Sequence, residues 1–362
     1  METPGVLADV ISQLAAIERA GGVGALKFGR GAELRVSSLD KQYFGEGITK
    51  GALMRYYATI WPVLKPAVKD RPLVLKRYPD GASGPMFFQQ NAGEHVPDVV
   101  RVETFNTKDD GPKPRIVGGD LITLLYTVQI GTIEVHPWLS RVDDVNAADR
   151  CLIDLDPGDD VPFKAVVALA KDILGIVRQC GLTAAVKTSG SSGIHLVIPL
   201  PPKTSYDTSA GLAMLVARAV SMQRPERATV ERSLSARPDG TIYVDAMQNA
   251  RGKSMACAYS VRAKNGAPVS APLREDELTA RLRTATYSLR SMPRRVARVG
   301  DIWSEALAIR TGKRILTNAM KTLEQLVDDA GEASAPRRGQ KRSVRGGSNV
   351  ESRAGGRSTG HR

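Results

Sequence analysis

The sequence predicts an α+β protein in which mixed sheets are flanked by helices. Strand-like and helix-like stretches alternate along residues 35–290 without an internal repeat. Hydrophobic residues make up 42% of the 362 residues, a share that allows a sizeable core. No run of about 18 apolar residues occurs, so no membrane partner is expected.

The first predicted helix covers "ITKGALMRYYATIWPVLKPAV", because Thr49 can serve as an N-cap ahead of apolar residues at helical spacing. Further helices are expected at "DLITLLYTVQIG", at "FKAVVALAKDILGIVRQCG", which Gly181 ends, and at "TSAGLAMLVARAV". The predicted strands are "RPLVLKRYP", "PMFFQQ", "TIEVHPW", "RCLIDLD", "AAVKTSG", "GIHLVIPL" and "GTIYVDAMQ". Strands and helices in this order indicate mixed sheets covered by helices.

The distribution of charge points to a polyanionic partner. The formal net charge is +13, of which residues 331–362 carry +6, so residues 1–330 keep +7. The segment 331–362 is rich in Gly, Ser and Arg and has almost no large apolar residues. It is therefore predicted to be a disordered basic tail that holds nucleic acid loosely by charge, with a specific docking segment as the alternative.

The cysteines and histidines restrict the kinds of site that are possible. Cys151, Cys180 and Cys257 are odd in number and far apart, which predicts core thiols rather than disulfides or a zinc site. With only four histidines, any catalytic metal would have to sit on carboxylates. The N-terminus carries acidic residues where a signal peptide needs basic ones, so a cytoplasmic, nucleoid-associated protein is expected.

The stretch "CLIDLDPGDD" places Asp154 and Asp156 at the end of a predicted strand. Residues two apart in a strand point to the same face, so both carboxylates would project together while Ile153 and Leu155 face the core. Mg²⁺ and Mn²⁺ prefer such oxygen ligands. The alternative is an acidic turn, because a D-x-D arises by chance in a chain of this length. The spacing after Asp154 does not fit an EF-hand.

Two further motifs add candidate groups. In "KTSGSSGIHLVIPL", Ser189, Gly190 and Gly193 form a turn that could present backbone N–H groups to a phosphate, and His195 follows on the next strand. A plain hairpin is the alternative. In "GTIYVDAMQNARG", Asp245 follows a strand and could complete the carboxylate set that two divalent ions need, although a capping Asp is the usual case.

Taken in order, these motifs resemble the polymerase domain of bacterial DNA ligase D, in the archaeo-eukaryotic primase superfamily. "IDLDPGDD", "SGSSGIH" and "YVDAMQN" are similar to its catalytic and nucleotide-binding motifs. "ITKG", "RPLVLKRYPDG", "MFFQQN", "EVHPW", "AYSVRA" and "PVSAPL" recur in the family's order. The similarity runs from about residue 39 to 278 and lacks the ligase motif, so a standalone polymerase is expected.

The resemblance implies a primase-like catalytic core and roles for individual residues. Asp154, Asp156 and Asp245 would be catalytic and bind two divalent ions, Mn²⁺ or Mg²⁺. The implied contacts to a nucleoside triphosphate are Lys76, His136, Ser189, Gly190, Gly193, His195, Arg237, Gln248 and Arg262. Lys41 and Lys50 correspond to lysines that bind the 5′-phosphate of DNA. Phe87 and Phe88 correspond to aromatics near the template, and we expect Phe88 to stack while Phe87 packs inward.

The implied function is template-dependent nucleotidyl transfer for DNA repair. The primer 3′-hydroxyl would attack the α-phosphate at 5′-phosphorylated gaps or ends, with ribonucleotides preferred, in end joining or excision repair. Ku and a separate DNA ligase are possible partners under this resemblance. Ser192, Gln90 and Lys264 depart from common family residues, so a catalytically weak DNA-end binding module is an alternative, and a dedicated primase is another.

The expected organisation has four parts. Residues 1–35 form a partly helical extension, residues 36–290 the primase-polymerase domain, residues 291–330 a helical extension and residues 331–362 the tail.

Overall fold

The structure, a computed structural model, describes residues 3–45, 47–107, 111–309 and 311–334. Within them the helices are α1 Pro4–Arg19, α2 Lys50–Val68, α3 Leu121–Gln129, α4 Phe163–Gln179, α5 Tyr206–Gln223, α6 Met292–Val299, α7 Ile302–Leu307 and α8 Lys313–Ser334. The strands are β1 Gly24–Lys27, β2 Glu33–Val36, β3 Gln42–Phe44, β4 Ile48–Thr49, β5 Leu73–Arg77, β6 Phe87–Gln89, β7 Val102–Thr107, β8 Gly111–Ile116, β9 Thr132–Pro137, β10 Ser140–Arg141, β11 Asp144–Pro157, β12 Ala185–Thr188, β13 Ile194–Ser205, β14 Ala228–Thr229, β15 Ile242–Asp245 and β16 Pro272–Leu273.

The largest sheet in the described part of the chain has the order β14-β15-β11-β13-β12-β16, and β10 pairs with β11 at its side. We call it the large sheet. β11 lies near its centre and pairs antiparallel with both β13 and β15. A second sheet, which we call the small sheet, has the order β6-β5-β9 and is antiparallel throughout.

One face of β11 is buried under helices. Ile153 and Leu155 are fully buried, and the Cys151 thiol on the same face donates to the Ser209 carbonyl oxygen of α5. α4 and α5 both contact β11, and α8 packs against α5. Because strand side chains alternate, this packing leaves Asp154 and its even-numbered neighbours on the opposite face.

The helix α2 packs against α1, α3 and β9. The Thr49 hydroxyl accepts a hydrogen bond from the Ala52 backbone N–H at 3.0 Å, which satisfies one free donor of the first turn. Most of the helix is buried, including Trp61 and Leu64. The predicted N-cap and the helix that follows it are therefore confirmed.

The structure confirms the α+β class and the predicted helices and strands between Thr49 and Asp245. The three cysteines are free and buried, as predicted. α8 runs to Ser334, so its last residues fall within the segment predicted to be a disordered tail, and the rest of that segment lies outside the described residues. None of the helices that the structure describes is long and apolar enough to cross a membrane.

Candidate active site

Three aspartates lie on two neighbouring strands of the large sheet. Asp154 of β11 lies opposite Asp245 of β15, and Asp156 lies opposite Tyr243. On its other side Asp154 lies opposite His195 of β13. Since directly paired residues of antiparallel strands point to the same face, Asp154, Asp245 and His195 share the face away from the helices. We call the three aspartates the carboxylate edge.

The carboxylate edge is crowded with negative charge. Burial, and then the charges of Asp245 and Asp156, raise the pKa of Asp154 to about 7. The positive charges of Lys187 and Arg262 act in the opposite direction but do not outweigh these effects. Asp154 is 23% exposed and Asp156 is 51% exposed. The carboxylate edge is therefore partly accessible to solvent, and the positive charges of its neighbours do not fully compensate its negative charge.

Each aspartate has a polar neighbour. The His195 Nε2 lies 3.3 Å from the Asp154 Oδ1, and the Arg237 Nη1 lies 3.4 Å from the Asp156 Oδ2. The Arg237 guanidinium also stacks over the Tyr243 ring at 4.5 Å, which holds it beside Asp156.

The third carboxylate is held by the turn that follows its strand. The Asp245 Oδ1 accepts from the Met247 backbone N–H at 2.7 Å, and its Oδ2 accepts from the Gln248 amide at 2.9 Å. Gln248 therefore orients Asp245 in this structure. These bonds fix the carboxylate on β15, opposite Asp154.

The donor chemistry of the carboxylate edge fits divalent cations. Carboxylate oxygens are the ligands that Mg²⁺ and Mn²⁺ prefer. Burial is the main cause of the raised pKa of Asp154, and the repulsion from Asp245 and Asp156, which a cation would relieve, adds to it. Among the described residues, no three His, Cys, Asp or Glu side chains are already close enough together to hold a metal ion. The strands thus bring the aspartates side by side, but their side chains are not yet close enough together to form a complete set of metal ligands.

The glycine turn predicted at residues 189–193 lies against the carboxylate edge. The Ser189 hydroxyl accepts from the backbone N–H groups of Ser191 and Gly193, both at 3.0 Å. Gly190 has a φ of +70°, and a Cβ at Gly193 would collide with the Leu155 carbonyl oxygen of β11. Both glycines are therefore needed for the turn to close onto the strand that carries the aspartates.

A cluster of basic side chains surrounds Glu134 of β9. The Glu134 carboxylate accepts from the Arg262 Nε at 2.9 Å and lies 3.1 Å from the His136 Nε2 and 3.3 Å from the Lys76 Nζ. The Arg262 Nη1 also donates to the Ser189 carbonyl oxygen at 2.5 Å. We call Lys76, His136 and Arg262, together with Glu134, the basic cluster. Arg262 thus joins it to the glycine turn.

Glu134 is ionised within this cluster. Burial alone would raise the pKa of Glu134, but the hydrogen bond from His136 and the positive charges of Arg262 and Lys76 hold it well below its usual range. Burial lowers the pKa of His136, and the contact with Glu134 only partly offsets this. The basic cluster therefore carries its own buried negative charge.

Sequence reasoning missed two residues of this site. Glu134 lies two positions before His136 in a strand, so the two-residue period could have placed both on one face. Lys187 of β12 lies opposite His195, and its Nζ contacts the His195 Nδ1. Only the pairing of β12 with β13, which the sequence does not show, brings Lys187 to that histidine.

The two lysines predicted to bind a 5′-phosphate are neighbours: Lys50 is the first residue of α2, and its backbone N–H donates to the carbonyl oxygen of Lys41, which precedes β3, at 2.9 Å. The Lys41 Nζ donates to the Pro79 carbonyl and to Asp80 at 2.9 Å, while the Lys50 Nζ donates to the Ser37 carbonyl at 3.0 Å. Burial and the nearby charge of Lys41 lower the pKa of Lys50 to about 8. The structure thus brings together two lysines that are nine positions apart in the sequence.

The prediction for the aromatic pair is wrong for one ring. Phe87 was expected to pack inward, but it is 45% exposed, and Phe88 is 55% exposed. β6 is an edge strand of the small sheet, and both rings remain largely accessible to solvent. Phe88 lies 6.3 Å from the His136 ring, beside the basic cluster, whereas Phe87 lies against the Arg77 guanidinium.

Three carboxylates on one sheet beside a glycine turn and a basic cluster are the groups that metal-dependent transfer of a phosphoryl or nucleotidyl group uses. Comparison with known proteins makes this class specific. Residues 49–303 match the family described as "LigD, primase-polymerase domain". The chain belongs to this family, whose members are primase-polymerases.

Individual relatives agree with that assignment. The chain is 32% identical over 265 residues to the multifunctional non-homologous end joining protein LigD of Pseudomonas aeruginosa, covering 72% of this chain and 31% of that protein. It is 31% identical over 270 residues to the bifunctional LigD of Bacillus subtilis, covering 74% of this chain and 43% of that protein. The chain therefore spans less than half the length of these curated relatives.

A solved structure shares the fold. The polymerase domain of Mycobacterium tuberculosis ligase D in complex with DNA superposes with a TM-score of 0.71 at 28% identity, covering 77% of this chain and 99% of that one. The primase-like core expected from the motifs is thus confirmed as the fold of this chain.

Proposed function

We propose that this chain is a template-dependent DNA or RNA nucleotidyltransferase that fills short gaps or extends broken DNA ends. The observation that carries the proposal is the register that sets Asp154 opposite both Asp245 and His195. This places carboxylates beside the glycine turn, with the basic cluster joined to the turn through Arg262. Such an arrangement suits an incoming nucleotide whose phosphates lie between negative and positive groups.

Asp154, Asp156 and Asp245 would hold two divalent cations, Mn²⁺ or Mg²⁺. When bound, such a pair of ions activates the attacking hydroxyl and stabilises the charge that develops on the reacting phosphate. The chain's contribution is to place the charges of Asp156 and Asp245 beside the buried Asp154, a repulsion that bound cations would relieve. Gln248 and the Met247 backbone N–H keep Asp245 in place for the same purpose.

The phosphates of a nucleoside triphosphate would be bound by the turn and the basic cluster. Lys76 and Arg262 supply positive charge, and His195 supplies a ring N–H donor. His136, whose ring N–H already points to Glu134, lies beside them. Arg262 is already oriented by the Ser189 carbonyl oxygen and Glu134, so little side-chain entropy would be lost on binding. Arg237, beside Asp156, would neutralise charge on the departing pyrophosphate.

The DNA substrate would be held at two places away from the carboxylates. Lys41 and Lys50 form a compact cationic pair suited to a terminal 5′-phosphate. The exposed Phe88 ring lies next to the basic cluster and could stack on a template base. A gap or end that carries a 5′-phosphate would therefore be bound at both positions together.

The relatives supply the biological setting of the proposal. Proteins named for non-homologous end joining match most of this chain, and the similar solved domain was obtained with DNA. We place the activity in end joining or in short-gap excision repair, with ribonucleotides preferred and with Ku and a separate ligase as candidate partners.

The direct test is primer extension on a gapped, 5′-phosphorylated duplex with Mn²⁺ and ribonucleotides. Wild-type protein should extend the primer, and Asp156→Ala should not. Asp159→Ala is a matched control, because Asp159 is an exposed carboxylate in the turn that follows the same strand. Continued extension by Asp156→Ala would refute the assignment of the carboxylate edge.

A DNA-end binding module is the second candidate. In the fold, Gln90 is occupied by a hydrogen bond from Arg115 at 3.1 Å, and Ser192 is exposed without a charge. Tight binding of 5′-phosphorylated ends without nucleotide incorporation under either metal would favour this function. Synthesis on single-stranded template without a primer would instead indicate a dedicated primase.

A further inference from the structure

A buried lysine lies directly behind His195. Lys187 is 2% exposed and lies opposite His195 in the pairing of β12 with β13. Its Nζ donates to the Ala256 carbonyl oxygen at 2.9 Å and to the Ser270 hydroxyl at 2.8 Å, and it contacts the His195 Nδ1. These three partners match the three hydrogens of an ammonium group, and none of them is a carboxylate.

The direction of each hydrogen bond can be assigned. The Ser270 hydroxyl donates to the Thr188 carbonyl oxygen at 2.9 Å, so its oxygen is the acceptor for Lys187. The Ala256 carbonyl can only accept. When Lys187 is charged, its third N–H must point to the His195 Nδ1, which then has to carry a lone pair.

The tautomer of the histidine follows from this assignment. With Nδ1 unprotonated, the single proton of the neutral ring lies on Nε2, which faces the Asp154 Oδ1 at 3.3 Å. The ring therefore directs its lone pair to Lys187 and its N–H to the carboxylate edge.

We propose that Lys187 is a positioning residue that fixes His195 as the Nε2–H tautomer, so that the ring donates a hydrogen bond at the carboxylate edge. The catalytic consequence rests on the proposed function: His195 would present a donor, not a lone pair, to the nucleotide phosphates. An apolar side chain would be far less costly to bury than an ammonium without a carboxylate partner. The presence of the Lys187 ammonium group at this buried position is consistent with a role that needs one of its N–H groups.

The first test reads the tautomer in the wild-type protein and needs no enzymatic activity. Long-range ¹H–¹⁵N correlation spectra of protein labelled in its four histidines would be recorded at mildly acidic pH. Burial lowers the pKa of Lys187 to about 7, so the lysine carries its charge at that pH. His195→Asn assigns the signal.

The expected spectrum has an unprotonated Nδ1 and a protonated Nε2 for His195, and Lys187→Met should give a mixture of both tautomers. A protonated Nδ1 in the wild-type protein would overturn the proposal. This result does not depend on polymerase activity, so failure of the proposed function and failure of this inference can be told apart.

The second test is a double-mutant cycle on primer extension. Lys187→Met should lower kcat by about tenfold or more, since a wrongly protonated histidine loses a general acid–base or donor role worth at least that factor. In a His195→Ala background the same substitution should cost nothing further. Lys171→Met, at an exposed lysine of α4, is the matched control and should leave kcat unchanged. Additive losses in a folded double variant would mean that Lys187 acts independently of His195.

Discussion

The two halves of the site treat charge in opposite ways. The carboxylate edge of the large sheet gathers three aspartates, and their repulsion together with burial raises the pKa of Asp154 to about 7. The basic cluster gathers three cationic or donor groups around one buried carboxylate, whose pKa lies well below its usual range. The carboxylate edge is left with negative charge that its neighbours do not compensate, whereas the buried carboxylate of the basic cluster is fully paired with positive groups.

The difference indicates which half depends on its ligand. Cations would stabilise the carboxylate edge, because they relieve a repulsion that the fold itself does not remove. The basic cluster is stable before any phosphate arrives, since Glu134 already orients Arg262 and Lys76. Substitutions in the two halves should therefore separate activity from stability.

The largest effect is expected for Asp154→Asn. Extension should fall by about 10³-fold or more, because several kcal/mol of metal-dependent charge stabilisation is lost. The free energy of unfolding without metal should stay the same or rise, since the repulsion from Asp245 and Asp156 is relieved. Single-turnover kinetics and urea unfolding measure the two quantities. A strongly destabilised variant would contradict the comparison, and Asp159→Asn serves as the control.

The second prediction concerns pH in protein stripped of divalent cations. Folded Asp154 keeps its proton up to about pH 7, whereas in the unfolded chain an aspartate loses it near pH ~3.9. The free energy of unfolding should therefore fall as pH rises between these values, by up to about 4 kcal/mol. Asp154→Asn should remove this slope, and an unchanged slope in urea titrations of that variant would contradict the prediction.

The basic cluster should respond in the opposite direction. Because the pKa of folded Glu134 is lowered, its stabilising contribution is complete above the unfolded value of about 4.3 and is lost as pH falls below it. Glu134→Gln should remove that acid-induced loss while keeping the slope due to Asp154.

Glu134→Gln should also destabilise the protein by roughly 3 kcal/mol, because it leaves Arg262 and Lys76 without their buried counter-charge. The KM for nucleotide should rise as these side chains lose their orientation. Glu103→Gln is the matched control: its pair with Arg101 is about one third exposed, so a loss below about 1 kcal/mol is expected. Equal losses from the two substitutions would show that the basic cluster has no special stability.

The smallest effect is expected at the rim of the basic cluster. Phe88→Ala should weaken binding of template DNA by about 1–2 kcal/mol, the value of stacking one base on an aromatic ring. Phe87→Ala should cost less, since that ring lies against Arg77 instead of His136. Fluorescence anisotropy with a gapped duplex measures both. A larger loss of DNA affinity from Phe87→Ala than from Phe88→Ala would mean that Phe87, not Phe88, stacks on the template base.

Local rules were enough to predict much of the fold and part of the site. The two-residue period of a strand put Asp154 and Asp156 on one face and Ile153 on the other. In the structure Ile153 is fully buried, Asp154 is partly buried and Asp156 is exposed, as this period requires. The cap at Thr49 and the glycine turn were likewise visible in short stretches of sequence. These features depend on neighbours within a few positions, so the sequence alone determined them.

The tertiary structure decided which of those distant stretches contact one another. Strand pairing set Asp154 against Asp245 and His195, brought Lys187 behind that histidine, and gathered Lys76 and Arg262 onto Glu134. The tertiary structure also left both phenylalanines of β6 exposed. Such contacts join residues up to 128 positions apart. Their energies come from burial and charge pairing across strands, which no local pattern encodes.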